Sequence, residues 1–395
     1  MKILALTQDS NFNGGANRSF YMVISSLVKQ NVQIEVLLPG HGELEEKFKK
    51  DGVKTYIYPF KGVISAYRDD GKDWIRKIKV PIMYNWEKSL GSYLAKKLKN
   101  EKFDLVYTNT RLPYVGAVIA KKLKIPHIVH IREFGTAKAI WGKWSYEKIY
   151  EESSKIILIS KALYDKVKEY VPEDKLVMIH NGIESDLNLK VHKILENKNV
   201  NLILTGRIVP DKGHGDAIKA LKILKDKGFD NIYLNIVGSY PKSGSLNWYY
   251  KKINQEIIEN NLEKNVIFHG EVKNMTEIRK NMDIELMCSI CETFGRVTVE
   301  GMRNGLLVIG SNTGGTPEII KDKYNGLLYE QGKPQDLAEK ILSSINNKDE
   351  ARKIAENAYQ FSQTNFTPES NTKQIYEVIK EVLNENEVKK NENKI

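Results

Sequence analysis

Short apolar runs alternate with helix-length amphipathic segments along nearly the whole chain, and this alternation limits the fold more than any other feature. In the first half the runs are KILALT, QIEVLLP, KTYIYP, DLVYTN, HIVHI, KIILIS and LVMIH; in the second they are NLILTG, IYLNIVG, VIFHG, IELMCS and LLVIG. Segments such as GANRSFYMVISSLVKQ and GHGDAIKALKILKDKG read as the helices between them. Strands that are apolar throughout, rather than at every second residue, are buried on both faces. Parallel neighbours of that kind need helical crossovers, so the class is α/β with doubly wound parallel sheets.

The series halts once and restarts. HNGIESDLNLKVHKILENKN (180–199) is polar at its start and is followed by a fresh strand, turn and helix. With 395 residues, 41% of them hydrophobic, the chain can build two cores. We therefore expect two Rossmann-like domains, 1–183 and 184–369, with ligands at the carboxyl ends of the strands and a site in the cleft between them. The ending NENEVKKNENKI is balanced in charge, and 389–395 is expected to be a polar tail.

The formal charge is +11, and its placement matters more than its size. Residues 47–102 carry 15 Lys and Arg against six Asp and Glu, interleaved with Tyr56, Tyr58, Phe60, Tyr67, Trp74, Tyr84, Trp86 and Tyr93. Such a stretch is either a solvated face or a contact for an anionic membrane surface, where Trp and Tyr settle at the headgroup boundary. No named nucleic-acid motif accompanies it, so nucleic acid is not expected as a partner. The N-terminus MKILALTQDSN has neither the charge pattern nor the apolar length of a signal peptide, and no apolar run reaches spanning length. The expected location is cytoplasmic, peripheral at the inner face of the plasma membrane if the membrane contact holds.

Three glycine-bearing turns follow strands. In NFNGGANRS, Gly14 and Gly15 would let backbone approach a ligand, and the helix amides behind them favour a phosphate or carboxylate. The motif is neither GxGxxG nor a Walker loop. LTGRIVPDKGHGD repeats the arrangement, with Arg207 leaving a strand and Lys212 preceding Gly213; two cations there could clamp a diphosphate. The third is SNTGGTPEII. Between the last two lies CSICETFGRVTVEGMRNG (288–305), with two cysteines and two glutamates. Glu292 falls in a loop and Glu300 a turn inside the next helix, so they need not form a shared-proton pair. The amides around Gly295 and Arg296 could meet a phosphate, and an ionised carboxylate deeper in could accept paired sugar hydroxyls. Cys288 and Cys291 are half a zinc site at most. Asp283 and Glu285 have an acid-x-acid spacing suited to Mg²⁺, but they lie in or before a strand rather than in the loop. His130 stands near the end of its strand, beside Arg132 and Glu133; a satisfied core histidine is the competing reading.

GRIVPDKG, CETFGRVTVEGMRNG and SNTGGTPEIIKDKYNGLLY resemble the motifs of retaining glycosyltransferases of family 4, which have the GT-B architecture. The glutamates match that family's E-x7-E signature. The likeness is specific over roughly 200–330 and looser in the first domain, where GGANRS and VHIREF resemble acceptor-side motifs. It implies that Arg207 and Lys212 bind the donor diphosphate, that Glu300 holds the nucleotide ribose and Glu292 lies against the donor sugar, and that His130 stands beside the reacting centre. Gly206, Phe294, Gly295, Arg296 and Val297, with Gly14 and Gly15, complete the donor side; Asn17, Arg18, Arg132 and Glu133 belong to the acceptor side. A last helix, about 370–388, crosses back to the first domain. Thr293 stands where the family commonly has glycine, which bears on sugar preference.

The reaction this implies moves a sugar from a nucleotide diphosphate sugar, with UDP the first expectation, to a hydroxyl of a glycan or lipid-linked glycan, without metal or other cofactor. An epimerase of the same architecture would need acid and base residues in the cleft and would consume donor with no acceptor. A phosphorylase lacks a visible phosphate or cofactor lysine context. A non-catalytic sugar-binding relative is disfavoured by the retained glutamates and cations.

Overall fold

In the computed structural model, which describes residues 1–12, 14–63, 73–134, 142–184, 193–240 and 247–392, the apolar runs form two all-parallel sheets. The chain divides into two units, Met1–Gly182 with Pro368–Ile395, and Ile183–Thr367.

In the first unit the strands are β1 (Lys2–Thr7), β2 (Gln33–Leu38), β3 (Lys54–Ile57), β4 (Leu105–Asn109), β5 (His127–Ile131), β6 (Lys155–Leu158) and β7 (Leu176–Met178). They are ordered β3-β2-β1-β4-β5-β6-β7. Alternate residues of β1 feed opposite cores. Ile3 and Ala5 pack with Phe20, Val23 and Leu27 of the helix Gly15–Lys29, and Leu4 and Leu6 with Leu94, Leu98 and Ile119 on the other face. Both faces are covered, which is why KILALT is apolar at consecutive positions.

The second unit repeats the pattern with β8 (Val200–Thr205), β9 (Ile232–Val237), β10 (Val266–Gly270), β11 (Ile284–Met287), β12 (Leu307–Ser311) and β13 (Leu327–Tyr329), ordered β10-β9-β8-β11-β12-β13. One core joins Leu202, Leu204, Leu234 and Ile284 to Ile218 and Leu221 of the helix His214–Asp226. In each sheet the strand order reverses once, at β1/β4 and at β8/β11. Loops leaving two such neighbours depart to opposite faces and leave an opening at the carboxyl edge, where ligands bind in open α/β sheets.

Two elements differ from the sequence reading. β13 is absent from the apolar runs, since Leu327–Tyr329 stands between the polar KDKYNG and Glu330. The last helix runs from Pro368 to Glu392, so 389–392 of the expected tail is helical. Lys389 and Lys390 sit in its last turn, where cations favour the helix dipole, and Glu385 is spaced to pair with Lys389. Ile375, Ile379 and Val382 of this helix are buried in the first unit's core.

Candidate active site

In the second unit β8 and β11 run side by side with Leu202 against Ile284 and Leu204 against Leu286, so the loops carrying Lys212 and Glu292 emerge together. Gly213, at φ 70°, caps the following helix. A Cβ there would stand 1.8 Å from the Cys288 carbonyl oxygen, so any other residue would force the loops apart. Ile290 N–H donates to the Asp211 carbonyl at 2.9 Å. From the other side, Ser311 and Thr313 hydroxyls donate to the carbonyls of Ser289 and Ile290 at 2.7 and 2.8 Å, and Gly315 N–H to that of Glu292 at 2.7 Å. Held from both sides, the Glu292 carboxylate accepts from Lys212 Nζ at 2.7 Å and Ser289 Oγ at 3.0 Å.

Glu300 has different neighbours. Gly295, at φ 98°, caps the helix Arg296–Arg303 and sets Glu300 one turn in. Its carboxylate lies 3.3 Å from Arg279 Nη1 and 3.6 Å from Arg296 Nη2. Arg279 is only 2% exposed and also grips the fully buried Glu285 at 2.7 Å, while Thr205 Oγ1 donates to Glu285 at 2.7 Å. The two motif glutamates thus have separate partners and are not a dyad. Asp283 accepts from the amides of Leu195 and Asn201 at 2.6 and 2.8 Å. Both members of the acid-x-acid pattern therefore hold the fold, as their strand position suggested. Among the described residues no three His, Cys, Asp or Glu are grouped to hold a metal ion.

Arg207 is exposed just beyond β8. Gly206 is approached by Gly238, where a Cβ would meet the Gly206 carbonyl at 2.0 Å. Phe294 is buried edge-on against Phe366, so its side chain fixes the loop; Arg296 and Val297 are half-buried. Cys288 is buried and Cys291 exposed, and both are free thiols; burial pushes the Cys288 thiol up to about 12.

In the first unit the predicted residues join a polar network along the carboxyl edge. Asn17 is buried; it accepts from Thr7 Oγ1 at 2.8 Å and donates to the carbonyls of Asp9 and Asn11. Asn109 donates to Thr7 Oγ1 at 3.1 Å and accepts from Arg132 Nε at 2.5 Å. Arg132 is also buried, bonded to Asn181 and, at 3.2 Å, to His130 Nδ1. Glu133 accepts from the amides of Arg111 and Arg132 at 2.8 and 3.2 Å. Asn17, Arg132 and Glu133 are thus built into the edge. Arg18 lies over the Phe12 ring. Gly14, at φ −86°, needs no glycine for its backbone, and a Cβ there would meet nothing within 4 Å among the described residues. Gly15 is the first residue of its helix.

His130 ends this network. It is fully buried, and burial, then the Arg132 charge, holds it well below the usual histidine pKa, so it is neutral at pH 7. Arg132 can only donate, so Nδ1 carries the lone pair and the proton sits on Nε2. Nε2 has no hydrogen-bond partner among the described residues. It is a donor in need of an acceptor.

Sequence reasoning passed over Tyr107, which also bonds His130 Nδ1, and Asn109, Asn181 and Arg279. Tyr107 and Asn109 could have been found, since they end the run DLVYTN at a strand's carboxyl edge. Arg279 gave no signal, because its partners are 6 and 21 residues away and its burial is tertiary.

Two doubly wound parallel sheets in separate units, with the last helix returned to the first, define the GT-B architecture. A family model of group 1 glycosyl transferases matches residues 185–361, and one described as glycosyltransferase family 4 matches 13–187. An uncharacterized glycosyltransferase of Methanocaldococcus jannaschii is 30% identical over 272 residues, covering 67% of this chain and 72% of that protein. The chain belongs to the GT-B glycosyltransferases. The capsular polysaccharide biosynthesis glycosyltransferase CapM of Staphylococcus aureus is 26% identical over 248 residues, 59% of this chain and 63% of that one. HepE of Anabaena, solved in complex with UDP, superposes with a TM-score of 0.80 at 21% identity, covering 96% of this chain and 100% of that one, a likeness of fold.

Proposed function

We propose that this enzyme is a retaining glycosyltransferase of the family 4 type, moving a sugar from a UDP-sugar to a hydroxyl of a glycan or lipid-linked glycan without a metal ion. The observation that carries this reading is the separate seating of the two glutamates: Glu292 beside Lys212, and Glu300 behind the amide end of the Arg296–Arg303 helix. A carboxylate set back from helix amides suits a ribose next to phosphates, and a carboxylate beside a lysine suits a sugar next to a departing diphosphate. HepE was solved with UDP and with UDP-glucose, and CapM acts in capsular polysaccharide synthesis; these support a UDP donor and a glycan acceptor.

In the proposed reaction the bond between the anomeric carbon and the diphosphate oxygen breaks, and a bond to the acceptor oxygen forms on the same face. The acceptor proton passes to the departing phosphate oxygen. Arg207, Lys212 and the amides near Gly295 stabilise the negative charge that grows on the diphosphate, where most of the rate enhancement is expected. His130, neutral and protonated on Nε2, donates a hydrogen bond to a substrate oxygen and is not the base.

A panel of nucleotide sugars, scored for hydrolysis and for protection against thermal unfolding, tests the donor. The anomeric configuration of the product, read by NMR, tests retention. Protection by no UDP-sugar, or an inverted product, would refute the corresponding part.

A further inference from the structure

The helix Asp73–Leu98 of the first unit has two faces that differ in a way the transfer reaction does not use. Its inner face is firmly seated. Val80, Leu94 and Leu98 are buried, and a Cβ on Gly91 would lie 2.7 Å from that of Val118, so this helix and Val115–Leu123 touch almost backbone to backbone. Glu87 also points inward, its carboxylate accepting from the amides of Tyr114 and Val115 at 2.6 and 3.1 Å.

The outer face carries Trp74, Ile78, Ile82 and Trp86, spaced by four, and then Tyr93, exposed by 63, 55, 62, 42 and 55%. At 100° per residue they occupy an arc of roughly 120°. Five large apolar side chains aligned in water on one helix are a costly surface unless something covers them.

The charges indicate what does. On the same wheel Lys77 and Lys88 fall along one margin of the stripe and Lys79 and Lys97 along the other, with Lys96 at its end; all five are exposed. After Asp73 the helix has one acidic residue, the buried Glu87. An apolar strip with Trp near both its ends, bordered by lysines and free of exposed carboxylate, matches the boundary between acyl chains and anionic headgroups. Among the described residues no helix is long and apolar enough to cross a membrane, so the contact is with a surface.

We propose that the outer face of the Asp73–Leu98 helix docks on an anionic lipid bilayer, with Trp74, Ile78, Ile82 and Trp86 entering the headgroup boundary and the flanking lysines meeting lipid phosphates. The binding is reversible and does not depend on which sugar the enzyme transfers.

The test is co-sedimentation of the full chain with vesicles of phosphatidylcholine alone or mixed with phosphatidylglycerol. Wild type should partition to the anionic vesicles, with roughly tenfold or greater loss on neutral vesicles or in high salt. The triple variant Trp74→Ser, Ile78→Ser, Ile82→Ser keeps every lysine and should lose about as much, with its circular dichroism melt unchanged. Brominated lipid should quench wild-type tryptophan fluorescence, a readout that needs no variant. The proposal fails if wild type stays in the supernatant with anionic vesicles, if its fluorescence is unquenched, or if the triple variant binds as wild type does. It fails equally if sedimentation velocity without lipid shows a dimer that the triple variant abolishes, since the stripe would then be covered by a second copy.

Discussion

The Nζ of Lys212 stands 2.7 Å from Oε2 of Glu292, so the cation we propose for the donor diphosphate and the carboxylate we propose for its sugar are bound to each other. The pair is about a quarter exposed on each side, which leaves a modest energy in the contact and a low cost for separating it. In the proposed reaction a nucleotide sugar would divide the pair, taking its phosphates to Lys212 and its sugar hydroxyls to Glu292.

From this pairing, Lys212→Ala and Arg207→Ala should each lower turnover by about 10²-fold or more, the scale of one lost charge contact in the transition state. Glu292→Gln should mainly lower kcat, while the Kd for free UDP, by calorimetry, should hold or tighten because Lys212 is released. Wild-type kcat/KM in both cation variants would remove the clamp.

Glu300 and Arg279 should separate binding from stability. Glu300→Ala leaves Arg279 paired with buried Glu285, so the fold should persist and the Kd for UDP rise. Arg279→Ala strands Glu285, which is fully buried, and should cost about 3–5 kcal/mol in denaturant unfolding. An unchanged UDP Kd in Glu300→Ala would remove it from the ribose site.

The cysteines should be dispensable. Replacing Cys288 and Cys291 together with Ala should leave activity near wild type, and activity should survive exhaustive chelation. A requirement restored only by Mg²⁺ or Mn²⁺, or one zinc per chain by elemental analysis, would contradict this.

His127 provides a pH test. It is buried, bonded to Thr108 Oγ1 at 2.8 Å, and burial lowers its pKa to about 4. The unfolded chain therefore binds a proton below about pH 6.5 that the native chain refuses until about 4, so this group's stabilising term is present above 6.5 and lost as pH falls. Relative to His127→Gln, wild type should lose about 1.4 kcal/mol per pH unit across that window. Unfolding curves at pH 7, 6 and 5 that differ by a constant would disprove it.

Strands such as β1 and β12 were legible because both faces are buried and so read as continuous apolar runs; β13, only Leu327–Tyr329 between KDKYNG and Glu330, was not. The turn residues of the site were legible too, because Gly213 and Gly295 have positive φ at helix starts and nothing but glycine serves there well. Partnerships were not. Nothing in the sequence shows that Glu285 belongs to Arg279, that Lys212 and Glu292 meet, or that Asn17 and Arg132 turn inward. Such pairs are set by the register of β8 against β11 and of β4 against β5, which the runs alone do not specify. The Asp73–Leu98 helix was hidden for another reason: Pro81, which in a sequence reads as a helix break, lies inside it, and its outer face is as apolar as its inner one.

The return of Pro368–Glu392 to the first unit has a consequence for biogenesis. The second unit is a contiguous stretch of chain, and it can complete its sheet and core as soon as Thr367 is clear of the ribosome. The first unit starts earlier and finishes later. Phe20, Val23 and Leu27 emerge before any of the second unit, yet Ile375, Ile379 and Val382, which close over that side of the sheet, are made only after all of it. While Ile183–Thr367 is being made and folds, the first unit carries an open apolar flank, so nascent chains stalled before residue 368 are the species that should recruit chaperones.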